Sequence, residues 1–373
     1  MQVVIFETEH FEAVYPVIRF FDRPGNTITI CCYQNTYDQL QHMLGADSNR
    51  YTWLIKPATT SKISFIYRIF RHTKKQPTDI LWLNTVSNNF LFYGMLLRFS
   101  PAKRLILTAH IINNLFAKGN LDSFKSRVRQ WGKRYMMPAV KEFNVISSTL
   151  LPALQQFAPQ AMIHCLPGGI YEKRPVPAEV LSLNTLRLVI PGSIDKKRRH
   201  YETILQLAEQ LHHQKVNTVI TLLGKPMGDY GSQVINQARQ LSNEYVSFIT
   251  YEDEVAQNEF DRQIGEAHFI LSPLIDTAVF DDGISETYGK TICSGNISDI
   301  IRHAKPFILP SHMALESPLA TAGFRYKNAE DIVHYLTALV QNPALYHAIA
   351  LKITEAVGHY TIEAVRERNS TLL

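Results

Sequence analysis

Leu186-Arg187-Leu188-Val189-Ile190-Pro191-Gly192-Ser193 is the stretch on which the fold turns. A short aliphatic run, stopped by Pro-Gly and followed by a helical pattern from Tyr201 to Leu211, reads as a buried strand feeding a helix. It restarts a pattern that has already run once. Upstream, Val3–Phe6, Thr27–Cys32, Tyr51–Ile55, Ile80–Leu83, Arg104–Thr108 and Asn144–Ser147 read as strands. Helical patterns at Glu12–Phe21 and Asp38–Leu44, and a further helix between Leu83 and Arg104, separate them. Downstream, Asn217–Leu223, Val246–Ile249, Phe269–Leu271 and Pro306–Leu309 read as strands. Phe260–Ala267, Ile297–His303, Ile332–Leu339 and Leu345–Val357 read as helices. Short apolar strands alternating with helices make a parallel sheet covered on both faces. Two such series predict an α/β chain of two Rossmann-like domains facing a central cleft. Pro167-Gly168-Gly169 and the prolines Pro175 and Pro177 read as the connection.

At 373 residues the chain is long enough for two cores, and 46% hydrophobic with 19% charged residues is a globular composition. The longest apolar stretch, Ile80 to Phe99, is interrupted by Asn84, Ser87, Asn88 and Asn89, which argues against a membrane span. The first residues carry no basic leader, so a secretory signal is not expected. Cys31, Cys32, Cys165 and Cys293 form no CxxC pair. They read as free thiols in a reducing, cytoplasmic setting rather than as a zinc site.

Charge divides the chain. Residues 1–180 hold 21 Lys+Arg against 11 Asp+Glu, whereas the remainder holds 17 against 22. A basic first half calls for an anionic partner. No zinc-finger spacing, RRM signature or helix-turn-helix pattern is present, so nucleic acid is not the expected partner. Ser61–Lys75 sets Ile63, Ile66, Ile69 and Phe70 among Lys62, Arg68, Arg71, Lys74 and Lys75. Lys125–Arg134 follows the same habit, with Trp131 and Tyr135 interleaved. Both fit helices lying on an anionic membrane, and both also fit ordinary surface helices.

Ligands of open parallel sheets bind beyond the carboxyl ends of the strands. Three loops there carry chemistry. Asp276–Lys290 is acidic and glycine-punctuated, and its Glu286 suits sugar hydroxyls; the alternative is a solvated loop, as for Asp281-Asp282. Gly192–His200 holds Lys196, Lys197, Arg198 and Arg199 between a strand and a helix, where a diphosphate would sit. His110 ends the strand at Arg104–Thr108, and His10 follows the first strand in the same way.

The order of Leu105–His110, Asn144–Ser148, Cys165–Tyr171, Val189–Lys197, Glu286-Thr287-Tyr288-Gly289, His303–Leu309 and His359-Tyr360-Thr361 resembles the retaining nucleotide-sugar glycosyltransferases of family 4, or group 1, with the GT-B fold. The resemblance implies an N-terminal acceptor domain over 1–170, a donor domain over 171–350, and a helix within 351–373 packing back on the first domain. It implies transfer of a sugar from a nucleoside diphosphate sugar to a carbohydrate or lipid-linked hydroxyl, as in cell-surface polysaccharide or glycolipid synthesis. His110 and Glu286 would be the catalytic pair. Gly192, Lys197, Arg198, Tyr288, Gly289 and Ser294 would hold the donor, with no tightly bound cofactor and no metal required. Ser294 stands where the family carries a second glutamate, and Glu7-Thr8-Glu9-His10 where it carries a glycine pair. Both departures open the alternative of a non-catalytic scaffold with a degenerate donor site. An epimerase on the same fold would need a second carboxylate opposite Glu286.

Overall fold

The computed structural model describes residues 1–172, 183–280 and 283–373. Pro175, Pro177 and the Asp281-Asp282 pair lie outside the described residues. The chain forms two compact units. One is Met1–Gly169 with Val279–Cys293 and Ile362–Leu373; the other is Ile170–Ala278 with Ser294–Thr361.

The first unit is built on strands β1 (Gln2–Glu7), β2 (Thr27–Cys32), β3 (Thr52–Ile55), β4 (Ile80–Leu83), β5 (Arg104–Thr108), β6 (Glu142–Val145) and β7 (Met162–Cys165). They run parallel in the order β3-β2-β1-β4-β5-β6-β7. Val3, Val4, Ile5 and Phe6 are all buried, as are all four residues of β4, because helices cover both faces. Those helices are α1 (Phe11–Phe21), α2 (Gln34–Leu44), α3 (Lys62–Lys75), α4 (Phe90–Phe99), α5 (Ile112–Phe116), α6 (Phe124–Met136) and α7 (Leu151–Phe157). Serines set two of the starts. Ser61 accepts from the Ser64 N–H at 3.1 Å, and Ser123 and Ser126 cap α6 reciprocally.

β6 begins two residues before the expected Asn144 and ends at Val145. Its Glu142 pairs in register with Met162 of β7, a strand that the sequence pattern did not mark, and Ser147 leaves the ladder to cap the next turn.

In the second unit β8 (Leu186–Pro191), β9 (Thr218–Leu223), β10 (Val246–Thr250) and β11 (Phe269–Leu271) come first. Two short strands follow in the chain, β12 (Thr277–Val279) and β13 (Ser285–Thr287), and then β14 (Phe307–Pro310) and β15 (Phe324–Tyr326). The unit's own sheet is parallel, in the order β10-β9-β8-β11-β14-β15. Its helices are α8 (Glu202–His213), α9 (Gly228–Leu241), α10 (Gln257–Glu266), α11 (Gly295–His303), α12 (Ser317–Ala320), α13 (Ala329–Gln341) and α14 (Pro343–Val357). Each unit has its own core. Phe6, Leu81, Leu107 and Phe143 lie in one; Leu188, Ile190, Ile220 and Phe269 lie in the other.

The terminal stretch is not one helix. α14 ends at Val357 within the second unit, and a separate helix α15 (Ile362–Arg368) lies with the first. Arg366 donates to the carbonyls of Arg19, Phe20 and Asp22 at the end of α1, so the return to the first unit is made by side chain-to-backbone bonds.

Candidate functional sites at the two strand-order reversals

Sheet order selects where to look. In the second unit the direction of winding reverses between β8 and β11, and the crevice at such a point is where these sheets take ligands. The loop leaving β8 turns at Gly192, whose φ of 97° is left-handed. A side chain there would also collide: a Cβ on Gly192 would lie 2.4 Å from Nη2 of Arg199. Gly224, closing β9, approaches as tightly, since its Cβ would lie 2.4 Å from the Gly192 carbonyl oxygen.

Arg199 fills the space so left. It is 7% exposed and donates to the carbonyls of Pro191 at 2.7 Å and Ser193 at 2.8 Å. It also reaches Oδ1 of Asn296 at 3.4 Å. Asn296 donates to Ser272 Oγ at 2.5 Å, and the Tyr326 hydroxyl donates to the Ser272 carbonyl at 3.2 Å. The ends of β8, β11 and β15 and the start of α11 are thereby joined by one buried polar network. Lys197 and Arg198, the predicted phosphate ligands, are exposed on the same loop. The Lys197 N–H donates to Asp195 Oδ1 at 2.9 Å, which shapes the turn. Ser294 is the N-cap of α11, its hydroxyl accepting from the Asn296 N–H at 3.3 Å.

In the first unit the reversal lies between β1 and β4. Glu7, the last residue of β1, is completely buried there. Its Oε1 accepts from the backbone N–H groups of Thr8, Glu9 and His10, at 2.6, 2.6 and 3.0 Å. Its Oε2 accepts from Asn84 Nδ2 at 2.6 Å and Thr85 Oγ1 at 2.8 Å. A carboxylate of the chain thus occupies the nest of N–H groups that opens α1, and no glycine pair is needed to let a ligand approach.

His110 stands beside this group. Its Nε2 lies 2.8 Å from the Asn84 carbonyl, which can only accept, so Nε2 carries the proton and Nδ1 holds the lone pair of the neutral ring. Burial, and then the charge of His10, hold His110 well below the usual histidine range, against the pull of Glu7. His10 behaves oppositely. Partial burial pulls its pKa down, but the hydrogen bond and charge of Glu12, joined by Glu7 and Glu9, raise it to about 9. The two rings are 5.2 Å apart. One positive charge on His10 and a neutral His110 result at neutral pH.

Glu286 lies on β13, within the segment that belongs to the first unit. Its carboxylate is fully buried. It accepts from the Asn114 N–H at 2.6 Å and the Asn113 N–H at 3.3 Å, at the start of α5, where orphan helix N–H groups need acceptors. Burial pushes its pKa up; Thr291, these N–H groups and the charge of Lys133 pull the other way. Tyr288 is buried in the turn that follows, and Gly289 has a φ of 78° and donates to the Ile292 carbonyl at 2.8 Å. The predicted donor residues therefore fall into two groups. Gly192, Lys197, Arg198 and Ser294 belong to the second unit; Glu286, Tyr288 and Gly289 belong with His110 to the first.

Arg199, Asn296 and Glu7 were not singled out by the sequence reading. Arg199 was indistinguishable from its neighbours in a run of cations. Glu7 carried one available signal, an acidic residue directly closing the apolar run Val3–Phe6. Among the described residues no group of three or more His, Cys, Asp or Glu is arranged to hold a metal ion. No described helix is long and apolar enough to cross a membrane.

No protein-family model and no curated protein matches the sequence. Solved structures do. UDP-GlcNAc 2-epimerase from Neisseria meningitidis, bound to UDP-GlcNAc, is 13% identical with a TM-score of 0.57, over 100% of this chain and 99% of that one. Anabaena HepE in complex with UDP-glucose is 10% identical with a TM-score of 0.65, over 100% and 99%. A variant of S. aureus TarM, in complex with Fondaparinux, alpha-GlcNAc-glycerol and UDP, is 9% identical with a TM-score of 0.66, again over 100% and 99%. Two parallel Rossmann-like sheets and full-length similarity to these structures give the chain the GT-B fold.

Proposed function

We propose that the chain is a glycosyltransferase that moves a sugar from a nucleoside diphosphate sugar to a hydroxyl acceptor, in the synthesis of a cell-surface polysaccharide or glycolipid. The observation that carries this reading is the Gly192 loop at the β8/β11 reversal. Arg199 braces it from beneath, and Lys196, Lys197 and Arg198 are left on its solvent side. A strand-end turn held rigid in this way, with cations exposed on it, suits a diphosphate leaving group, whose charge grows as the glycosyl bond breaks. Gly192 and the helix opening at Ser294 would line the donor. His110, neutral and with Nδ1 as its acceptor atom, would take a hydrogen bond from a substrate hydroxyl. The outcome at the anomeric carbon would be retention, as in the family that the sequence resembles. The reading puts the chain in the cytoplasm, its basic first unit against the inner face of an anionic membrane.

One observation favours a second reading, a scaffold without catalysis. Glu286, the expected sugar ligand, spends its carboxylate on the backbone of Asn113 and Asn114. Calorimetric titration with UDP, GDP, ADP and their sugar conjugates separates the two. The transferase reading expects one nucleotide to bind, with affinity reduced roughly tenfold or more in Lys197→Ala, the scale of one charge-assisted hydrogen bond. Silence toward every nucleotide would favour the scaffold. Glu286→Ala provides the second test, since a transferase that keeps its turnover in that variant would reduce Glu286 to a structural role.

A further inference from the structure

A cavity of about 550 Å³ opens at the carboxyl ends of β2 and β3. Tyr33, Lys56 and Ile55 line it, with Gln34 and Asn35 at the start of α2. Its size is that of a small-molecule site. What distinguishes it is charge. Lys56 Nζ lies 5.6 Å from the centroid of the Tyr33 ring, and Lys62 Nζ lies 5.7 Å from the same centroid. Arg68 donates to the Ile55 carbonyl at 3.4 Å. None of the three is ion-paired with a carboxylate among the described residues. Lys56 donates only to the Pro57 carbonyl, and the nearby Asp38 takes its hydrogen bond from Gln34 at 2.9 Å. Both ammonium groups thus lie within cation–π reach of one ring. Lys56 lines the cavity, and Lys62 and Arg68 each touch a residue that does, so three cations without an ion-pair partner stand at or beside its wall, a setting that suits a multivalent anion.

We propose that this cavity binds a phosphate group of the acceptor, held by Lys56, Lys62 and Arg68. The name acceptor rests on the transferase reading; the phosphate site itself does not. A phosphate monoester offers three terminal oxygens, enough to engage all three side chains, and a lipid phosphodiester offers two. It reaches the cavity either on a soluble sugar phosphate or on a lipid, because Lys62 and Arg68 also belong to the basic outer face of α3.

The test is direct binding to the full chain. Glucose 1-phosphate, with glucose as the neutral control, is titrated into the parent, into Lys56→Ala/Lys62→Ala and into Lys197→Ala. Vesicles of phosphatidylglycerol, against phosphatidylcholine, are offered to the same three proteins. Each lost lysine contact should cost roughly tenfold in affinity. The double variant should therefore lose at least that for the phosphate probe, while Lys197→Ala keeps it. Loss toward glucose 1-phosphate identifies a soluble phosphate. Loss toward phosphatidylglycerol alone identifies a lipid-borne one. The proposal is overturned if glucose binds as well as its phosphate, if neither phosphate probe binds, or if the double variant binds like the parent. None of these outcomes touches the donor reading, which stands or falls on nucleotide binding. Lys62 is exposed and Lys56 half-buried, and an unchanged Tm in the double variant verifies that the fold is kept.

Discussion

A run of four cations, Lys196 to Arg199, contains one residue that is buried as part of the fold, and its neighbours in the run are exposed. The difference was not legible in the sequence. It arises because Gly192 adopts a positive φ and lacks a Cβ, which admits the guanidinium beneath the loop. Arg199→Met should therefore strand the Pro191 and Ser193 carbonyls, at a cost of about 2–4 kcal/mol, and lower Tm by several degrees. Arg198→Met should change Tm by no more than the scatter of surface substitutions. Ser294, which the resemblance places among the donor-holding residues, caps α11 instead, a role the sequence reading did not give it. The two histidines give a pH prediction. His10 has its folded pKa raised to about 9, so its contribution is complete below the unfolded value near 6.5 and is lost as pH rises through 9. His10→Gln should thus be less stable than the parent at pH 6, and the two Tm curves should converge above pH 9. A constant gap across that window would remove the His10–Glu12 interaction as its cause. His110 has the opposite sign, for its lowered pKa makes protonation favour unfolding, so stability should fall as pH drops below about 6.5.

At the scale of elements, most of the fold was legible because parallel strands buried on both faces appear as unbroken apolar runs. β4 is an example, and β8 is nearly one, broken only by the exposed Arg187; both were recovered within a residue. β7 escaped, since Met162-Ile163-His164-Cys165 is only partly covered and has no such run. The basic helices were recognised as amphipathic, but periodicity alone could not say which apolar residues remain outside. α3 leaves Tyr67 60% exposed, and α6 leaves Phe124 83% and Trp131 57% exposed, amid Lys125, Arg127 and Arg134. Aromatic side chains among cations on an outer surface suit the interface of an anionic bilayer. Phe124→Ala/Trp131→Ala should weaken binding to phosphatidylglycerol vesicles by roughly tenfold or more, in line with apolar burial at about 25 cal/mol per Å². The same variant should unfold at nearly the parental temperature, because these side chains pack against little. Unchanged vesicle binding would return α6 to the status of an ordinary surface helix.

For the whole molecule, sequence order and spatial grouping part company. Two short segments, Val279–Cys293 and Ile362–Leu373, belong to the first unit although the second unit's residues precede them in the chain. No local pattern encodes this. It rests on a few directed bonds between distant residues: Glu286 to the start of α5, Arg366 to the end of α1, and Asn369 to both backbone groups of Cys165 at 3.2 and 3.1 Å. The Arg366 contact shows why these bonds matter. The last carbonyls of a helix lack intrahelical partners, and the end of α1 at Phe20–Asp22 is supplied with donors by one guanidinium arriving from the far end of the chain. Arg366→Ala should remove bonds of 3.1, 2.7 and 2.8 Å together and destabilise the first unit by about 2–3 kcal/mol, with Arg366→Lys recovering only part because an ammonium cannot span three carbonyls. If the terminal segment is integral to the first unit, hydrogen exchange in Arg366→Ala should quicken in α1 and β7 together, while β8 and β9 keep their protection. Faster exchange confined to residues 362–373 would mean that the segment is an appendage and that the first unit is complete without it.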